Sequence, residues 1–160
     1  MTNKATMENL QKALAMELTA AHQYQLHAHV LDDWGLDRLA DQMRVEMQEE
    51  LTHADNFIAR ILFFQGKVDM EFYKKPAQAD TLVSMFKADL ADEGEAVEFY
   101  TKAAQHAMEV GDIGTRTLFE KIALEEEGHK SWLELQLSLI ERIGEQAFSA
   151  KYVSAVSSSE

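Results

Sequence analysis

The chain has 160 residues, no cysteine, and 28 Asp and Glu against 15 Lys and Arg, for a net charge of −13. That length predicts one domain able to bury a core, and 46% hydrophobic residues exclude a disordered acidic tail. The charge excludes a general nucleic-acid binder and disfavours anionic membranes, and the missing thiols exclude disulfides, iron–sulfur clusters and thiol catalysis.

One proline and seven glycines, among many Ala, Leu, Glu, Lys, Gln and Met, predict an all-α chain. A first helix is predicted over 4–34, closed by Trp34-Gly35, with Asp37 as the N-cap of a second over 37–65 that stops at Gly66. The stretch from Lys67 to about Asp80 holds Pro76 and has little periodicity. A third helix follows over 81–110, a turn at Gly111-Asp112 and Gly114, a fourth helix over 114–143 ending at Gly144, and a short fifth near 145–152. One domain therefore spans 1–152, and the tail 153–160, ending in Ser157-Ser-Ser-Glu160, reads as disordered. The short turns make antiparallel pairs of helices one and two, and of three and four. The connection of about 14 residues between the pairs is long enough to cross the bundle. Met1-Thr-Asn-Lys4 begins no apolar signal segment, and no apolar run approaches the roughly 18 residues that span a bilayer, so a cytoplasmic protein is expected.

Each long helix carries an apolar stripe at steps of three and four, interrupted by ionisable groups. The stripes are Leu10, Leu14, Glu17, Ala21, Tyr24, Ala28 and Leu31; then Leu39, Met43, Glu46, Glu50, His53, Phe57, Ile61 and Phe64. Helix three contributes Leu82, Phe86, Asp89, Glu93, Ala96, Tyr100, Ala103 and Ala107, and helix four Leu118, Ile122, Glu126, His129, Leu133, Gln136 and Ile140.

Glu50-Leu-Thr-His53 and Glu126-Glu-Gly-His129 both place Glu and His three apart, on one helix face. Either pair alone is unremarkable; the spacing around them is not. Glu17 precedes Glu50 by 33 residues, as Glu93 precedes Glu126, and Tyr24 and Tyr100 each follow their Glu by seven. The two halves repeat one layout, and folding them together brings Glu17, Glu50, His53, Glu93, Glu126 and His129 to one level of the core. That is the dinuclear carboxylate arrangement of a ferritin-like four-helix bundle. Four buried carboxylates need compensation, which two divalent cations supply, and oxygen with imidazole ligands suits iron or manganese. Glu50 and Glu126 are expected to bridge the metals, with Glu17 and His53 terminal on one, and Glu93 and His129 on the other. Tyr24 and Tyr100 are candidate donors to ligand carboxylates, with ordinary core tyrosines as the alternative. Glu46 is read as a transit ligand or an edge charge, and His22, His27, His29 and His106 as surface or interface residues.

At these residues the chain resembles the bacterioferritins over about Lys4 to Tyr152. The likeness is strongest in Asp33-Trp-Gly-Leu-Asp-Arg-Leu-Ala40, from Glu50 through Asp55 to Gly66, and in Glu126-Glu-Gly-His-Lys-Ser-Trp-Leu-Glu134 with Gln136-Leu-Ser-Leu-Ile140. The resemblance implies a 24-subunit cage that oxidises Fe(II) with O2 or H2O2 at a di-iron site in each subunit and stores the ferric mineral. Its ferroxidase ligands map onto the same six residues, so the catalytic and the metal-binding residues coincide, and its fifth helix maps onto the segment after Gly144. Two positions depart from the family. Members hold haem through a Met directly after the bridging Glu of helix two, and here that position is Leu51. Met47 lies one turn earlier, about 5.4 Å away. This subunit is therefore not expected to ligate haem alone, and the cage is either haem-free or mixed with a haem-binding bacterioferritin subunit. Val45 stands where members with a further iron site on the inner wall often carry His, with an acid at the position of Glu49. The resemblance also implies an electron-donor protein for iron release. A rubrerythrin-like peroxidase, a manganese catalase and a structural subunit with a vestigial site are the competing readings.

Overall fold

In the computed structural model, which describes residues 3–154, local chemistry decides where each helix starts and stops. Helix α1 (Lys4–Asp33) begins after Asn3, whose side chain accepts from Ala5 N at 2.8 Å, and ends where Gly35 takes the expected left-handed conformation at φ +83°. Helix α2 (Asp37–Phe63) departs from expectation: Asp37 is its first residue, and the cap position belongs to Leu36, without a side-chain cap bond. Leu36 is buried in the core, so an apolar residue occupies the turn. The Asp37 carboxylate instead accepts from Ser154 N at 2.8 Å. Gly66, the expected stop, is also not the left-handed residue; Gln65 is, at φ 58°. A Cβ at Gly66 would stand 2.7 Å from Met7 Cε and 3.0 Å from Ile61 Cγ2, so a larger residue there requires the Met7 side chain to move.

Helix α3 (Leu82–Glu109) opens on a reciprocal cap in which Ser84 N donates to Thr81 Oγ1 and Thr81 N to Ser84 Oγ. Helix α4 (Ile113–Ile143) is capped by Asp112, which accepts from Thr115 N at 3.0 Å. Arg60 reaches Asp112 Oδ1 at 2.7 Å and Thr115 Oγ1 at 3.0 Å, pinning the end of α2 to the start of α4. The short α5 (Glu145–Ala150) buries Phe148 edge-on against Phe86. All helix ends fall within two residues of the expected ones. Of the expected disordered tail, residues 155–160 lie outside the described residues.

The architecture is the expected all-α four-helix bundle with a long crossover and a short fifth helix, and no strand occurs among the described residues. The crossover Phe64–Thr81 runs along the outer face of α1. Gln11 Nε2 donates to Lys67 O at 2.5 Å, Tyr73 N to Thr19 Oγ1 at 2.8 Å, and Gln23 exchanges bonds of 2.8 and 2.9 Å with Ala77. Both partners advance together, so the crossover is parallel to α1 and delivers α3 at the far end of the bundle, running in the same sense as α2. Tyr73 Oη also donates to Glu95 at 2.5 Å, and Lys74 pairs with Asp92. Thr19→Val keeps the shape but removes the hydroxyl that holds Tyr73 N. It is expected to cost about 1–2 kcal/mol and to lower Tm by about 4 °C, with earlier proteolysis in the crossover, read by a thermal melt and a timed digest.

Every expected stripe residue of α1 and α3 is buried. Two small shifts occur elsewhere. Phe64 is only half-buried past the end of α2, and at the start of α4 Phe119 takes the inward place expected of Leu118, which packs at the margin. The apolar core forms two clusters, one around Leu14, Phe57, Tyr100 and Phe119, the other around Leu31, Met43, Phe86 and Phe148. Among the described residues, no helix is long and apolar enough to cross a membrane.

Candidate metal centre

The carboxylate–imidazole layer lies between the two apolar clusters, because each stripe puts its ionisable residues at mid-helix. Glu17, Glu50, His53, Glu93, Glu126 and His129 are all buried. His53 Nδ1 is 2.9 Å from Glu126 Oε1, 3.6 Å from Glu17 Oε1 and 3.9 Å from Glu50 Oε1. His129 Nδ1 is 3.1 Å from Glu50 Oε1, 3.6 Å from Glu93 Oε1 and 3.7 Å from Glu126 Oε2. Two overlapping quartets could each hold a metal ion: Glu17, Glu50, His53 and Glu126, and Glu50, Glu93, Glu126 and His129. Their ligand atoms lie within 4.8 Å of one another, and Glu50 and Glu126 belong to both. The imidazole rings stack at 6.5 Å with 25° between planes, one on each side of the shared carboxylates.

The internal repeat becomes a pseudo-two-fold arrangement. Tyr24 Oη donates to Glu93 Oε1 at 2.6 Å, and Tyr100 Oη to Glu17 Oε1 at 2.6 Å. Each tyrosine serves the carboxylate of the other half, because α1 and α3 run antiparallel and a step of seven along one is matched by seven back along the other. The candidate donor role of both tyrosines is thus borne out in geometry. Outside the layer, His53 Nε2 meets Glu125 Oε2 at 2.5 Å, while His129 Nε2 meets Glu46 Oε2 at 2.8 Å and also pairs with Glu49. Glu125 was not singled out from sequence. Its signal is the doubled acid that precedes each histidine, Glu49-Glu50 and Glu125-Glu126.

One expectation is corrected. His27 is not a surface residue: it is 1% exposed, and its Nε2 lies 2.9 Å from Asp89 Oδ1 of α3. The pair gives His27, which lies beside the α1 stripe, a partner in Asp89, which the α3 stripe drives inward. His22 and His29 are exposed, and His106 is half-buried.

The charges sort themselves by environment. Burial and the neighbouring Glu17 and Glu126 push Glu50 well above the usual carboxylate range, and burial with the adjacent Glu126 does the same to Glu93. Burial acts against Glu126 too, but Glu93, His129 and His53 around it hold its carboxyl below the usual range. Burial opposes a charged His53, yet Glu126 and Glu17 lift it to about 10, and His129 is raised by Glu126, Glu46, Glu50 and Glu93 against the same burial. Burial and Glu93 raise Tyr24, and burial and Glu17 raise Tyr100, so both hydroxyls keep their hydrogens.

The donor set fits two divalent cations. Each of the six residues leaves one buried polar atom without a hydrogen-bond partner: Glu17 Oε2, Glu50 Oε1, His53 Nδ1, Glu93 Oε2, Glu126 Oε1 and His129 Nδ1. Buried polar atoms left this way are costly, and six around one point match a metal-ligand set. A cavity reaches from Glu17, Glu50, Glu93 and Glu126 to Tyr73 and Lys74 of the crossover. Leu51 is half-buried and Val45 exposed, and neither carries a ligand atom.

Comparison with known proteins shows the family to which this sequence and fold belong. The ferritin-like domain family matches residues 7–143. The chain is 40% identical to the bacterioferritin of Rhodobacter capsulatus over 142 residues, 89% of this chain and 88% of that one. It is 37% identical to the bacterioferritin of Brucella melitensis over the same shares, and 36% to bacterioferritin BfrA of Mycobacterium tuberculosis over 91% of each chain. The solved structure of the Rhodobacter capsulatus bacterioferritin matches with a TM-score of 0.93 at 37% identity, covering 99% of this chain and 100% of that one. That protein is described with a metal-free dinuclear site and with haem iron in a crystallographic special position. In sequence and in fold, this chain belongs to the bacterioferritins.

Proposed function

We propose that the protein stores iron and is a ferroxidase: it binds two Fe(II) per chain as substrate, oxidises them with O2 or H2O2, and passes ferric iron into the cavity of a 24-chain cytoplasmic cage. The observation that carries this reading is the convergence of six buried, unpartnered ligand atoms on two overlapping quartets. Glu17 and His53 would hold one iron, Glu93 and His129 the other, and Glu50 and Glu126 both. Bound Fe(II) supplies one electron each, two in all, to the oxidant. The chain's own residues position and neutralise. Glu126 spans both sites, the tyrosine hydroxyls fix the Glu17 and Glu93 carboxylates, and the apolar clusters on either side exclude bulk water. Protons on Glu50, Glu93 and the two Nδ1 atoms must leave as iron binds, so affinity rises with pH. With Leu51 in place of a sulfur ligand, the subunit contributes none to haem, and haem would enter only through a second subunit type. Release of stored iron would need an electron-donor protein.

An anaerobic Fe(II) titration of metal-free protein, with air admitted after each addition, tests the proposal. A fast ferric absorbance phase should saturate at two Fe per chain, followed by slower growth far beyond that ratio. Saturation with no further uptake would leave a dinuclear oxidase without storage, and no saturating phase would remove the ferroxidase reading.

A further inference from the structure

The two histidines of the centre show a feature that the ligand set does not use. Each directs Nδ1 inward, toward three carboxylates, and Nε2 outward, toward an acid beyond the layer. On His53 that outer acid is Glu125 alone, at 2.5 Å. On His129 it is Glu46, at 2.8 Å, together with Glu49. An ionised carboxylate can only accept, so Nε2 must carry the hydrogen, which leaves Nδ1 as the lone-pair atom once it is deprotonated.

The repeat explains the likeness and locates the difference. Glu125 stands one residue before Glu126 on α4, as Glu49 stands one before Glu50 on α2. The α4 position corresponding to Glu46, three residues before the outer acid, is Ile122, which is fully buried. His129 Nε2 hydrogen-bonds to Glu49 as His53 Nε2 does to Glu125, so each ring has one outer hydrogen-bond acceptor; Glu46 adds a second acid near His129, but its Oε2 accepts no hydrogen bond.

We propose that Glu125 is a positioning residue for His53, holding Nε2–H so that Nδ1 faces the metal shared with Glu17, Glu50 and Glu126, and that this half of the centre depends on it for the orientation of its imidazole. The proposal rests on the two-metal reading above. Without the acceptor, the ring can rotate or take the other tautomer, and the metal at that position loses its only nitrogen ligand. Loss of such an outer partner lowers metal affinity by about 10–100-fold in general; Glu125 is 43% exposed and competes with water, so about tenfold is expected here.

The test is a Co(II) titration of metal-stripped protein, followed by calorimetry and by the visible absorption of the bound ion. Wild type should bind two Co(II) per chain. Glu125→Ala, which removes the acceptor, should bind one Co(II) with wild-type affinity and one about tenfold more weakly, with a changed visible spectrum at the weak site only. Glu125→Asp, which keeps the acceptor, should restore both. The proposal is overturned if E125A binds both ions as wild type does, if both sites weaken equally, or if E125D behaves as E125A does. A wild-type chain that fails to take two Co(II) overturns the two-metal reading instead, so the two failures are separable.

Discussion

Glu126→Gln is expected to lower the stability of the metal-free protein at pH 7 by about 3 kcal/mol, while Glu50→Gln, at the other shared carboxylate, should leave it within about 1 kcal/mol. Both residues are buried to 1% exposure, and both replacements are nearly isosteric, so packing does not distinguish them. Charge does. Glu126 is held ionised by Glu93, His129 and His53, against its burial, and its anion faces two raised imidazoles. Removing it leaves His53 and His129 without the carboxylate their rings converge on, and breaking such a buried pair is costly. Burial and the neighbouring Glu17 and Glu126 raise Glu50, which favours its protonated form in the metal-free fold, and an amide imitates that form. In thermal melts in the presence of a chelator, E126Q should melt roughly 6–12 °C below wild type, and E50Q close to it. Neither variant should show the fast phase at two Fe per chain, because each loses a ligand common to both quartets. An E50Q protein that melts as low as E126Q would mean that Glu50 is ionised when metal is absent.

Adding Zn(II), which cannot be oxidised, should raise Tm by roughly 10–20 °C at pH 7 and by far less at pH 5. Binding to two sites at about a hundredfold excess over Kd contributes roughly 5 kcal/mol. The metal-free side of the comparison moves in an unusual direction. Glu50 and Glu93 are raised in the fold, so the stability tied to them is fully present below their ordinary value of 4.5 and is lost as pH climbs through the raised value. His53, raised to about 10, contributes fully below its ordinary 6.5 and loses that contribution only as pH rises through about 10. Glu126, lowered, contributes above 4.5 and loses that only below it. Metal-free protein therefore gains stability from pH 7 to pH 5 and turns over below about 4.5, while Zn(II) binding weakens as protons compete for its ligands. The two melting curves converge toward pH 5. A gap that stays constant between pH 7 and pH 5 would contradict the charge states assigned to Glu50 and Glu93.

The ligand candidates were legible because their spacing is local. Glu-x-x-His turns two side chains to one helix face wherever it occurs, and the 33-residue repeat showed that the halves match. The helices were legible for the same reason, through stripe periodicity and the scarcity of Gly and Pro. His27 was misjudged because its partner, Asp89, is 62 residues away on another helix, and nothing near His27 in sequence announces it. Leu36 displaced Asp37 from the cap because core burial outweighs intrinsic capping preference in so short a turn.

By itself, then, the sequence determined four long amphipathic helices, the crossover, and six ionisable residues on core stripes, since each depends on spacing within one helix or on the length of one loop. Tertiary structure alone decided that Tyr24 serves Glu93 and Tyr100 serves Glu17, that Glu125 faces His53, and that His129 has two outer acids where His53 has one. Those pairings depend on the register between helices distant in sequence, which is set by how the two apolar clusters interlock above and below the polar layer.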